Sequence, residues 1–143
     1  MIQSSNDSNI MPQAIISAQK LTQKIQLSQK QLTIFEDLDL EIMAGEQVAI
    51  TGRSGSGKST LLGILASLDQ ASSGQLIVSG ESVSTLNEEQ RALVRLKNIG
   101  FVFQSFQLLP HLTAIENVML PLRLQPSFKY AEAEQKALAL LHI

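Results

Sequence analysis

Gly52-Arg53-Ser54-Gly55-Ser56-Gly57-Lys58-Ser59 spells G-x-x-x-x-G-K-[ST], and no other stretch of the chain dictates local geometry so tightly. It stands between a short apolar, β-branched run at 47–51, which reads as a buried strand, and a run at 59–68, which reads as a helix. The loop therefore delivers a strand into a helix N-terminus. The first turn of a helix has backbone N–H groups without intrahelical partners and a partial positive charge, both of which favour an anion. Gly52, Gly55 and Gly57 permit φ > 0 and let the backbone close around phosphates with no Cβ in the way.

The side chains of this pattern divide the work. Lys58 reaches the β- and γ-phosphates as a mobile ammonium, and the Ser59 hydroxyl completes the shell of a Mg²⁺ that also binds phosphate oxygens. Thr60 adds a hydroxyl or amide near the α-phosphate. Residues Gly52, Arg53, Ser54, Gly55, Ser56, Gly57, Lys58, Ser59 and Thr60 thus form a candidate site for a nucleoside triphosphate with Mg²⁺.

Downstream, Ile99-Gly100-Phe101-Val102-Phe103 reads as a strand that delivers Gln104 into the loop Ser105-Phe106-Gln107-Leu108-Leu109-Pro110. With the phosphate loop continued as Ser54-Gly55-Ser56-Gly57-Lys58-Ser59-Thr60-Leu61-Leu62, this resembles the nucleotide-binding domain of an ATP-binding-cassette (ABC) transporter. The segment 101–122, FVFQSFQLLPHLTAIENVMLPL, is similar to the branch containing the lipoprotein-releasing, macrolide-exporting and YbbA-type ATPases. The resemblance runs from about residue 14 to the last.

The resemblance implies an α/β fold of the P-loop NTPase, ABC-ATPase type, with an antiparallel β-region at the N-terminus and a truncated helical subdomain. It implies ATP and Mg²⁺ as cofactors, hydrolysis of ATP to ADP and phosphate in the intact domain, and a homodimer of that domain. It also implies a membrane-spanning permease as partner and a peripheral place on the cytoplasmic face of a bacterial inner membrane. The family's glutamine after the strand, which touches the metal or the attacking water, corresponds to Gln104. An amide suits that task because its oxygen binds a hard cation without adding charge beside the γ-phosphate. Together with Lys58 it forms the catalytic pair that the resemblance assigns, and with Ser59 the metal pair. Where many members stack the adenine on an aromatic residue, this chain places Ile25, which covers the ring without the stacking contribution of about 0.5–1.5 kcal/mol.

The family's signature motif, the acidic strand with its catalytic glutamate and the switch histidine do not occur in the 143 residues. Transfer to water needs an oriented nucleophile and charge stabilisation around the γ-phosphate. The chain as given is therefore expected to bind ATP weakly, to turn none over, and to expose an apolar sheet edge and face. Two alternatives stand beside the transporter reading: a binding-only or inert truncated product, and a soluble relative of the superfamily acting on DNA or ribosomes. The transporter-like stretch after Gln104 and the lack of basic surface weigh against the latter.

Composition agrees with a cytosolic protein that takes no nucleic acid and inserts into no lipid. The net charge is −2, there is no cysteine, and the apolar runs, such as 61–68, fall short of a bilayer span. Residues 1–13 read as a disordered tail before a single domain at 14–143, and Met11 is a candidate translation start. Strands are expected at 15–21, 38–42 and 75–78, turns at 44–46 and 72–74, and helices at 88–97, after Thr113, and at 130–141. Asn87 with Gln90 and Thr113 with Glu116 have the spacing of capping boxes, so Glu116 reads as a cap rather than a catalytic acid. His111 and His142 lack further ligands at metal-binding spacing. Phe101, Phe103 and Phe106 read as core and loop packing rather than base-stacking residues.

Overall fold

The computed structural model describes residues 14–28 and 30–142, so the expected tail and its two methionines lie outside the described residues. These residues form two compact units, the first ending at Phe101 and the second beginning at Val102.

In the first unit, strands β1 (Ala14–Leu27) and β2 (Lys30–Met43) form a long antiparallel hairpin. Both outrun the segments expected from sequence. Strand β3 (Ser73–Val78) pairs antiparallel with the other edge of β1, and the short β4 (Glu81–Ser82) pairs with β3, giving the order β2-β1-β3-β4. Alternation along β2 sends Leu38, Leu40 and Ile42 toward the core side, while Asp39 and Glu41 are exposed. The hairpin is irregular midway: the register shifts between Ala18 and Leu21 and again between Leu21 and Gln23, and Lys20 and Asp37 both take φ of 48°.

Helix α1 (Lys58–Leu65) contributes Leu61, Ile64 and Leu65 to a core shared with Ala18, Leu21, Leu76, Val78, Val83 and Val94. Helix α2 (Glu88–Asn98) opens on a capping box in which Asn87 Oδ1 accepts from Gln90 N at 2.9 Å and Gln90 Oε1 accepts from Asn87 N at 3.1 Å. From its flank Arg95 donates to the carbonyl of Ser67, just beyond α1, at 2.6 Å, and Glu88 holds both Arg95 and Arg91. A cation thus sits at the negative end of α1. The two arginines in turn hold the Glu88 carboxyl below the usual carboxylate range, Arg95 foremost.

The second unit is a helical hairpin, α3 (Ala114–Arg123) and α4 (Tyr130–Leu141). Its small core is Met119, Ala133 and Ala137, with Ile115, Val118, Leu122 and Phe128 packed around them.

Three expectations need correction. Residues 47–51 and 99–103 form no strand. A strand, unlike a helix, takes its hydrogen bonds from a neighbour, and the described sheet offers these segments none. Val48 accordingly stands 49% exposed rather than buried. The turn expected at 72–74 is instead the entry to β3, because Ser73 pairs with Thr22 of β1 and Gly74 continues the strand at an irregularity, while Ser72 N donates to the Thr22 carbonyl at 3.0 Å. The other turn forms at Ala44 and Gly45, with Glu46 Oε2 accepting from Met43 N at 2.7 Å.

Candidate functional site

The phosphate loop closes on α1 through Gly57, the N-cap residue, at φ 84° and ψ 8°. The Gly57 carbonyl accepts the first helical bond, from Leu61 N at 2.8 Å, and no side chain among the described residues caps this end. The first-turn N–H groups are therefore disposed to meet a ligand's oxygens. Gly52 takes φ of 151°, so the loop's first glycine is required by conformation; a Cβ there would lie 2.9 Å from Ser56 Oγ, which a turn of that side chain relieves.

Lys58 folds back over the loop. Its Nζ donates to the carbonyl of Gly52 at 3.0 Å and of Arg53 at 2.7 Å, which brings the ammonium over the cradle formed by the glycines. Arg53, Ser54, Gly55 and Ser56 are exposed, and Ser59 joins Lys58, Val48, Ile50 and Leu62 in lining an open cleft of about 260 Å³. A second cleft of about 200 Å³ shares Val48, Ile50 and Leu62 with the first and is lined mainly by apolar side chains. No cluster of three or more His, Asp or Glu ligands exists among the described residues. A divalent ion at Ser59 would complete its shell with further oxygen ligands, phosphate and water among them, as suits Mg²⁺.

The remaining candidates lie on other elements. Ile25 lies on β1 opposite Leu32, 40% exposed, in the same unit as the phosphate loop. Gln104 belongs to the second unit, exposed in a bend. Among the described residues His111 and His142 join no ligand cluster, and His142 closes α4 in a left-handed conformation, φ 55°. Phe101 is partly buried, but Phe106 is 87% exposed and so fails the packing expected of it. Glu116 is a cap: its Oε2 accepts from Thr113 N and Oγ1, each at 2.8 Å, and these bonds, the backbone one first, hold its carboxyl below the usual range.

Two residues in structural roles escape the sequence reading. Asn117 Oδ1 accepts from Leu109 N at 2.8 Å, and its Nδ2 lies within 3.2 Å of the carbonyls of Leu109, Leu112 and Thr113, pinning the end of the Gln104 loop to α3. The signal was an asparagine inside a helix, where its side chain competes with backbone bonding. Ile34, which abuts Gly57, left no such signal.

Known proteins resemble this chain in sequence and fold. The ABC transporter family matches residues 35–143. The uncharacterised ABC transporter ATP-binding protein YbbA of Escherichia coli (strain K12) is 44% identical over 127 residues, covering 89% of this chain and 55% of YbbA. The lipoprotein-releasing system ATP-binding protein LolD of Xanthomonas axonopodis pv. citri (strain 306) is 44% identical over 128 residues, 90% of this chain and 52% of LolD. The macrolide export ATP-binding/permease protein MacB of Pasteurella multocida (strain Pm70) is 44% identical over 112 residues, 78% of this chain and 17% of MacB. Among solved structures, the dimeric post-hydrolysis state of the ATP-binding cassette MJ0796 with ADP and Pi superposes with a TM-score of 0.82 at 34% identity, covering 89% of this chain and 56% of that one. The chain spans about half the length of YbbA and LolD. With its phosphate loop, α/β fold and these matches, the chain belongs to the ABC transporter family, on the ATP-binding side.

Proposed function

We propose that this chain is the nucleotide-binding part of a transporter ATPase that couples ATP binding and hydrolysis to work by a membrane-spanning permease. The observation that carries the reading is the glycine loop at the uncapped N-terminus of α1, with the Lys58 ammonium drawn over it. The first-turn N–H groups and Lys58 hold the phosphates, Arg53, Ser54 and Ser56 line the loop, and Thr60 serves the α-phosphate. Ser59 would hold Mg²⁺, which when bound neutralises developing charge on the phosphates, and Gln104 is the further ligand that the family resemblance proposes. Ile25 gives the base an aliphatic face. Gln104 also orients water.

The relatives support the partners. MacB joins an ATP-binding part to a permease, and MJ0796 forms a dimer. The protein is accordingly assigned to the cytoplasmic face of a bacterial inner membrane, reached through its permease, which also selects the cargo; no described helix is long and apolar enough to cross a membrane. The 143 residues provide the binding half of the chemistry, so hydrolysis by the 143-residue chain alone is expected to be absent. Equilibrium titration of the full chain with Mg-ATP tests the reading. Binding should appear and weaken by roughly tenfold or more in Lys58→Ala, the scale of a lost charge-assisted contact. Equal affinity in the two proteins, or none in the wild type, would remove the basis for the proposal.

A further inference from the structure

Ile34 sits at a defect in the ladder. Gln23 pairs with Phe35 and the next residue, Lys24, pairs with Thr33. One step along β1 therefore answers two along β2, and Ile34 is the extra residue, a β-bulge. Bulges bend a strand and re-aim a side chain. Here the side chain meets the phosphate loop: the position that a Cβ would take at Gly57 is filled by Ile34 Cγ2, with Ile34 Cβ and its carbonyl oxygen each 3.8 Å from that point.

We infer that Ile34 is a positioning residue for the phosphate loop, a rigid wall that confines Gly57 to its left-handed conformation and thereby aims the first N–H groups of α1. The inference rests on reading the loop as a polyphosphate site. Glycine is needed at position 57 because φ is 84°, but the same freedom allows a glycine many other conformations. A loop that must bind anions through its backbone loses affinity whenever it samples them, since ordering it on binding carries an entropic cost. A β-branched side chain is suited to oppose that freedom, because its χ1 is restricted and its Cγ2 cannot swing away cheaply. Ile34 is partly buried, and its contact comes from a strand rather than from the loop itself. The wall therefore persists while the loop is empty, and the site is organised in advance of its ligand.

The test compares Ile34→Ala and Ile34→Val in the full chain, titrated with Mg-ATP and, separately, with inorganic tripolyphosphate and Mg²⁺. Ile34→Ala should weaken both ligands by the same factor, roughly five- to tenfold for one backbone residue set free, with a thermal midpoint close to wild type. Ile34→Val keeps Cγ2 and should restore both affinities. Loss of ATP affinity with tripolyphosphate unchanged would place the side chain against the nucleoside and overturn the inference, as would no loss at all. If the wild type binds neither ligand, the polyphosphate reading itself fails. Amide hydrogen exchange at Gly57 and Lys58 in the ligand-free chain then decides the role of Ile34: faster exchange in Ile34→Ala, with wild-type rates in Ile34→Val, supports it, and unchanged exchange rejects it.

Discussion

Gly57 carries two constraints that other residues in the loop carry singly. Its φ of 84° disfavours any L side chain, and the space a Cβ needs is already taken by Ile34. The left-handed conformation alone costs a non-glycine residue roughly 1–2 kcal/mol, and the overlap with a branched side chain adds to it. Gly57→Ala should therefore lower the thermal midpoint and abolish Mg-ATP binding together; calorimetric melting and titration of the one variant check both, and an alanine tolerated in both assays would contradict the geometry. Sequence spacing made the loop's own residues legible, Gly52 to Thr60, because their chemistry is local to a strand-loop-helix unit. Ile34 was not legible. It lies 23 positions before Gly57 and reaches it only because a ladder slips by one residue, which no periodicity in the strand announces.

At the scale of elements, helices could be read more closely than strands, for a physical reason. Both capping boxes occur where the spacing set them, and α4 covers the expected 130–141, because a helix makes its bonds within itself and its caps lie a few residues away. The segments at 47–51 and 99–103 have strand composition, yet composition cannot supply a neighbour. The cap of α3 has a pH signature. Thr113 lowers the Glu116 pKa through its N–H and then its hydroxyl. A depressed carboxyl contributes stability above its unfolded pKa, near the ordinary glutamate value of about 4.3, and loses that contribution as pH falls through the lower folded pKa. The Thr113 amide resonance should thus shift below about pH 4.3 in the wild type. Glu116→Gln keeps the reciprocal bonds of the box and should flatten that titration. Because Glu88 is depressed as well, the local amide is the measurement, and a profile unchanged in Glu116→Gln would show that the cap is not what titrates.

At the scale of the molecule, the division after Phe101 falls in a stretch without helix or strand, where Val102 is 95% and Phe106 87% exposed. Exposed irregular backbone is where proteases cut first. Brief chymotrypsin treatment should nick the chain after Phe106 before it cuts at Phe35 or Phe128, which pack against the two cores; mass spectrometry of the first fragments reads the order, and early cleavage at Phe35 would mean that the first unit is not compact. Val48 and Leu62 are each about half exposed, but they lie on the irregular segment and on α1 rather than on the apolar sheet edge and face expected from sequence. Their two clefts flank the segment that finds no ladder.

The bulge at Ile34 also limits how this hairpin changes length over time. The atoms nearest the loop's glycine belong to Ile34 rather than to the pairs toward the tip, from Lys24 and Thr33 to Leu27 and Lys30, so residues gained or lost at the turn near Ser28 leave the wall in place. One residue inserted between Ile34 and the body of the sheet slides the bulge and turns the isoleucine to the other face. Gaps among homologous chains are therefore expected at the hairpin's tip, with the stretch from Ile34 to Gly57 kept at fixed length; an alignment with gaps spread through that stretch would contradict this.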